Sequence, residues 1–117
     1  MATKRAFLIH GWQGAPEGGW RPWLKEKLEE KGFTVTMPAM PDTDHPKMND
    51  WVNHLRKVVG KPDEDCILVG HSLGCIASLR YVESLQPGQK VGAVLLVAGF
   101  KDDINIPELH NFYETPI

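Results

Sequence analysis

Four apolar runs of strand length divide the chain: Ala6 to His10, Thr34 to Met37, Cys66 to Val69 and Val91 to Val97. Three are continuously apolar, the pattern a strand needs when helices cover both faces of a parallel sheet. The run Thr34-Val35-Thr36-Met37 alternates instead, which places it nearer a sheet edge. Helical stripes fill the gaps between the runs. Trp20, Trp23, Leu24 and Leu28 recur at i, i+3, i+4 and i+8, with Pro22 suited to an opening turn and Gly32 to a C-terminal cap. Met48, Trp51, Val52, Leu55, Val58 and Val59 make a second stripe that closes at Gly60. Cys75, Ile76, Leu79, Val82 and Leu85 make a third, with Arg80 and Glu83 off it, and it stops before Pro87-Gly88. Strands and helices therefore alternate, which with right-handed crossovers predicts an α/β fold: a parallel sheet in three layers. Past Val97 the pattern fades, and no stripe between Gly99 and Ile117 is long enough to cover the last strand.

At 117 residues the chain has room for one compact domain. Its 42% hydrophobic and 24% charged residues lie in the globular range, which excludes a disordered or collagen-like chain. Thirteen Lys and Arg against fifteen Asp and Glu leave a formal charge of -2, with no block of like charge. Neither nucleic acid nor an anionic membrane surface is expected as a partner. Ala6-Phe7-Leu8-Ile9 is too short for a signal-peptide core and no run approaches a membrane span, so the expected location is cytoplasmic. Cys66 and Cys75 lack CxxC spacing and read as buried thiols too far apart to bridge.

The chemistry concentrates after the third strand. Gly70-His71-Ser72-Leu73-Gly74 is a G-x-S-x-G motif placed where a strand ends and a helix begins. A serine held out of such a turn needs a strained backbone, and the positions two before and two after it must lack side chains. Gly70 and Gly74 satisfy that demand. The Leu73 N–H, at the positive end of the following helix, is the first candidate donor to a developing oxyanion. A second is the N–H of Trp12, in the loop His10-Gly11-Trp12-Gln13-Gly14 after the first strand. The competing reading makes Ser72 an N-cap whose hydroxyl satisfies a helix N–H. The glycines of that first loop match neither G-x-G-x-x-G nor G-x-x-x-x-G-K-[ST], which argues against a nucleotide.

Together, Phe7-Leu8-Ile9-His10-Gly11-Trp12, Met40-Pro41-Asp42, Ile67-Leu68-Val69-Gly70-His71-Ser72-Leu73-Gly74, Arg80-Tyr81 and Val94-Leu95-Leu96-Val97 resemble the α/β-hydrolase superfamily. More closely, they resemble its small serine hydrolases related to retinoblastoma-binding protein nine. The resemblance implies an α/β-hydrolase or flavodoxin-like three-layer sheet and a hydrolase of ester, amide or thioester carbonyls with Ser72 as nucleophile. It implies no cofactor, and it places Asp42 in a loop shaping the pocket. Family members continue past the segment matching Tyr113 to Ile117 with further strands, an acid and a histidine. On that comparison the domain matches their N-terminal portion, its sheet ends after the fourth strand, and Ser72 alone of the triad has a counterpart.

A serine hydroxyl needs an adjacent base, usually an imidazole oriented by a carboxylate. His71 neighbours Ser72 but should point away from it, and His10 more naturally props the oxyanion loop. His45 and His54 read as exposed polar residues. His110 follows the last strand, on the side where parallel strands deliver active-site loops, and Asp102 and Asp103 precede it. An Asp102 or Asp103, His110, Ser72 arrangement is the substitute these residues allow, although solvated surface charge explains the acids equally well. Asp42, Asp44 and His45 lie close together without a recognised ligand spacing, so no metal is expected. Trp12 has reason to line a pocket, whereas Trp20, Trp23 and Trp51 sit on helical stripes and read as core. An apolar strand left at a sheet edge is a poor arrangement for a soluble monomer. A second copy, a partner strand or further chain is therefore expected to cover Val91 to Val97. The alternative to an enzyme is a catalytically incompetent fragment or an interaction module.

Overall fold

The computed structural model describes residues 4–100 and 102–116. It contains four parallel strands, β1 (Arg5–Ile9), β2 (Thr34–Thr36), β3 (Cys66–His71) and β4 (Ala93–Val97), in the spatial order β2-β1-β3-β4. Three α-helices join them: α1 (Arg21–Glu30), α2 (Met48–Val59) and α3 (Leu73–Glu83). A 3-10 helix follows at Pro107–Tyr113. The alternating run forms an edge strand, as its pattern predicts, although it ends at Thr36 rather than Met37. Pro22 stands in the first turn of α1, and Gly32 follows its C-cap with φ 92°.

Period two along β1 sends Phe7 and Ile9 to one face, where they join Trp51 and Leu55 of α2 and Leu73, Ile76 and Ala77 of α3 in a single cluster. Ala6 and Leu8 face the other way and are equally buried. The continuous apolar runs predict strands enclosed on both faces, which β1 and β3 are; β4, the third such run, is largely exposed. Register brings the strand ends together: Ile9 lies opposite Gly70, and His71 opposite Val97. The loops after β1 and β3 therefore open at the same end of the sheet.

Several expectations need correction. β3 runs on to His71 rather than stopping at Val69, and β4 begins at Ala93 rather than Val91. At Gly92 the chain crosses Glu64 so closely that a Cβ would lie 2.1 Å from its carbonyl oxygen, and pairing with β3 starts only after that crossing. Trp23 is 61% exposed, because α1 buries little beyond Arg21. Arg80 lies off the apolar stripe of α3 yet is buried. Its guanidinium donates to the carbonyls of Phe112 and Thr115 and pairs with Glu83 at 2.9 Å, tying the 3-10 helix to α3. That helix buries Leu109 and Phe112, the latter edge-on to Trp51.

β4 pairs only with β3 among the described residues. Leu95 and Leu96 are each 50% exposed and Val97 38%. Cys66 and Cys75 are buried free thiols, as expected. Among the described residues no helix is long and apolar enough to cross a membrane.

Candidate active site

Ser72 joins β3 to α3 with φ 56° and ψ -121°, a left-handed backbone that costs a residue with a side chain about 1–3 kcal/mol. The chain tolerates it because the surrounding contacts leave no alternative. A Cβ on Gly70 would lie 2.5 Å from the Gly74 oxygen, and one on Gly74 would lie 2.2 Å from the Ile9 oxygen. Both glycines are thus required for α3 to start directly against β1 and β3. The Ser72 N–H donates to Val97 O at 3.0 Å, so the turn is also fastened to β4. Ser72 occupies the N-cap position, but its side chain makes no capping hydrogen bond, unlike the competing reading of the motif.

The loop after β1 crosses in front of this turn. A Cβ on Gly11 would meet the Ser72 Cβ at 2.9 Å and the Leu73 nitrogen at 3.3 Å, so only glycine permits the approach. His10 holds the loop, with its Nδ1–H donating to Gly11 O at 3.0 Å and its Nε2 accepting the Met40 N–H at 3.0 Å. Accepting at Nε2 makes the ring neutral, and burial lowers its proton affinity in agreement. Met40 is the first residue of the Met40-Pro41-Asp42 segment, which packs beside the loop after β1. Pro41 O accepts the Trp51 indole N–H, Thr43 O accepts the Gln13 N–H, and Asp44 O accepts the Trp12 indole N–H. Asp42 has φ 43° at the bend, and its exposed carboxylate faces His45 at 4.0 Å. Among the described residues the Trp12 backbone N–H has no hydrogen-bond partner. Leu73, as the first residue of α3, has no carbonyl within its helix to bond.

A hollow of about 470 Å³ lies over Ser72, walled by Gly11 and Trp12 from the first loop, Trp20 and Arg21 from the start of α1, and His71. The His71 ring is committed elsewhere. Its Nδ1 accepts from Arg21 Nη1 at 3.1 Å, and Trp20 packs edge-on against it at 5.5 Å. Burial first, and the Arg21 charge second, lower its proton affinity. Trp20 and Arg21 were not legible as site residues, since the helical stripe assigns Trp20 to the core. The available signal was a charged residue beside the aromatic pair Trp20 and Trp23 in the first turn of a helix.

Asp103 and His110 do come together, Oδ2 to Nδ1 at 3.3 Å, but neither lines the hollow at Ser72, and Asp102 is exposed. Among the described residues no side chain hydrogen-bonds the Ser72 hydroxyl. A larger hollow, of about 580 Å³ between the start of α2 and the 3-10 helix, shares no residue with this site and is lined by no serine, threonine or cysteine.

A model of the serine hydrolase family matches residues 6–117. The chain belongs to that family. It is 38% identical over 98 residues to the putative hydrolase YdeN of Bacillus subtilis (strain 168), covering 84% of this chain and 52% of YdeN. It is 33% identical over 87 residues to the serine hydrolase RBBP9 of Rattus norvegicus, covering 74% of this chain and 44% of RBBP9. The chain thus spans about half the length of these curated relatives. The crystal structure of the ydeN gene product superposes with TM-score 0.83 at 36% identity, over 96% of this chain and 59% of that one. Tomato methylketone synthase I complexed with 2-tridecanone matches at TM-score 0.64 and 20% identity, over 91% of this chain and 43% of that one, and shows the shared α/β fold alone. The resemblance to small α/β-hydrolase serine enzymes is borne out.

Proposed function

We propose that this chain carries the nucleophile and the oxyanion donors of a hydrolase acting on an ester, amide or thioester carbonyl. The observation that carries the reading is the backbone of Ser72, held at positive φ with its hydroxyl unbonded and Gly11 packed against it. In this reading the Ser72 oxygen attacks the carbonyl carbon, and the N–H groups of Leu73 and Trp12 hold the resulting anionic oxygen. Collapse expels the alcohol, amine or thiol with a proton, and water then cleaves the acyl-serine to release the acid. His10, Gly11, Gly70, Gly74 and Asp42 shape the site, and His71 forms its wall.

A base for the Ser72 proton is the unsupplied part. The Asp103–His110 pair is formed but does not line the hollow, so the chain alone should turn over slowly. Residual catalysis from an oxyanion site without a complete triad is about 10³–10⁴ over water in known enzymes. The second reading, a scaffold or interaction module without turnover, rests on that same unbonded hydroxyl together with the apolar edge of β4. Fluorophosphonate labelling of the folded chain and of Ser72→Ala separates the two. Slow labelling that disappears in Ser72→Ala is expected. Equal labelling of both proteins, or none on the folded chain, overturns the hydrolase reading.

A further inference from the structure

Two arginines are buried in this chain, and they are satisfied differently. Arg80 has a carboxylate, Glu83, at 2.9 Å. Arg21 is 4% exposed and, among the described residues, donates only to neutral acceptors. Its Nε donates to Pro16 O at 3.1 Å, Nη2 to Ala15 O at 2.5 Å, and Nη1 to the neutral ring of His71 at 3.1 Å. Burial lowers its proton affinity. A buried charge is normally paired, because desolvation otherwise goes unrepaid. This unmatched charge stands on the wall of the hollow that contains Ser72.

We propose that Arg21 makes the hollow over Ser72 a site for an anionic carboxylate, so that the substrate carries such a group a few bonds from the carbonyl that Ser72 attacks. The substrate assignment rests on the serine hydrolase reading; the anion site does not. Guanidinium has five N–H donors, and three are used, which leaves one on each Nη in the planar fork that matches a carboxylate. Gly18 keeps that fork clear, since a Cβ there would lie 2.9 Å from Nη2. Trp12 and Trp20 line the same hollow as Arg21 and Ser72 and supply flat apolar surface suited to a short aliphatic spacer. A volume of about 470 Å³ holds a ligand of that size. The rival role for Arg21, a clamp between the Ala15-Pro16 turn and His71, uses the three donated hydrogen bonds and has no preference for ligand charge.

The test is binding to the Ser72→Ala chain, in which no acyl-enzyme forms, of monomethyl glutarate and of its terminal carboxamide. The indole N–H resonances of Trp12 and Trp20 report occupancy. The carboxylate should bind at least about tenfold more tightly than the amide, and the preference should shrink severalfold in high salt. Arg21→Gln should abolish the preference, and Arg21→Lys should keep part of it. Carboxylate and amide affinities within twofold of one another, or a preference that survives in folded Arg21→Gln, overturn the proposal. Should Arg21→Gln not fold, the comparison of the two ligands on the Ser72→Ala chain decides alone. Because that chain has no nucleophile, a preference for carboxylate stands even if fluorophosphonate fails to label Ser72, and labelling without a preference defeats the anion site only.

Discussion

Gly74→Ala tests the construction of the serine turn directly. Gly74 is the second residue of α3, and in an unconstrained helix exchanging glycine for alanine stabilises by up to about 1 kcal/mol. Here the new methyl carbon would lie 2.2 Å from Ile9 O and 2.9 Å from both Ile9 C and His10 O. An ordinary contact starts about an ångström farther out, and these three nearest atoms are backbone of the central strand β1 and of the loop after it. No rotamer change relieves the clash, so α3 must move away from β1. Overpacking of one methyl costs about 1–3 kcal/mol where side chains can yield, and the upper end applies here, offset by the helix gain to a net loss of about 2 kcal/mol. For a domain of this size that lowers the melting temperature by roughly 10 °C. Urea denaturation followed by tryptophan fluorescence measures the loss. Fluorophosphonate labelling measures its second consequence, a displaced Ser72 that reacts at least tenfold more slowly. A Gly74→Ala protein as stable as the parent and labelled at the same rate would show that the close approach of α3 to β1 is not what holds Ser72.

Acid should destabilise the fold through His10 and His71. Both have proton affinities lowered chiefly by burial, so the unfolded chain takes up protons first. Stability should be full above the ordinary histidine value near 6.5 and decline as pH falls through it toward the depressed folded values. Urea midpoints that do not change between about pH 7.5 and 5.5, or an unaltered slope in a His10→Asn, His71→Asn double variant, would contradict this. Replacing Arg80 by Met should cost about 2–4 kcal/mol, since the Phe112 and Thr115 carbonyls lose their donor. Limited proteolysis should then cut between β4 and Thr115 faster than in the parent, and an unchanged digestion pattern would refute the tie. The open face of β4 should drive concentration-dependent association, which Leu96→Lys should reduce. Light scattering that finds the unsubstituted chain monomeric at high concentration would refute it.

The strands and the serine turn were legible because their signals are local. Continuous apolar runs mark β1 and β3, and Gly70, Ser72 and Gly74 stand at the spacing the turn demands. Gly11 was legible from its place after β1. What escaped depends on contacts distant in sequence. Arg80 reads as a surface residue on its helix, and only the return of Phe112 and Thr115 across it makes it buried. The 3-10 helix that makes this return has no 3.6-residue stripe to reveal it. Arg21 escaped for a similar reason, because its partners are the Ala15-Pro16 turn and His71, fifty residues away in the chain. Trp23 shares the stripe of Leu24 and Leu28, but α1 packs against β1 and β2 without burying that part of its surface.

The strain at Ser72 persists only while its neighbours over-determine the backbone, and those neighbours come from two strands of unequal security. From β1 come Ile9, against which Gly74 is packed, and the loop that carries Gly11. That strand lies inside the sheet, paired with β2 and β3 and buried on both faces. From β4 comes the Val97 carbonyl, which accepts both the Ser72 N–H at 3.0 Å and the Cys75 thiol at 3.4 Å. That strand pairs on one side only among the described residues, with most of its side chains open. Local opening free energy follows buried contacts, so β4 is the weaker of the two clamps and the first to release the turn. Whatever lies along β4 and keeps it paired therefore also favours the strained conformation of Ser72 without touching it. By linkage, holding Ser72 in that conformation favours the occupied edge to the same extent. The apolar strand and the strained serine turn, which read as separate features of the sequence, are thermodynamically coupled.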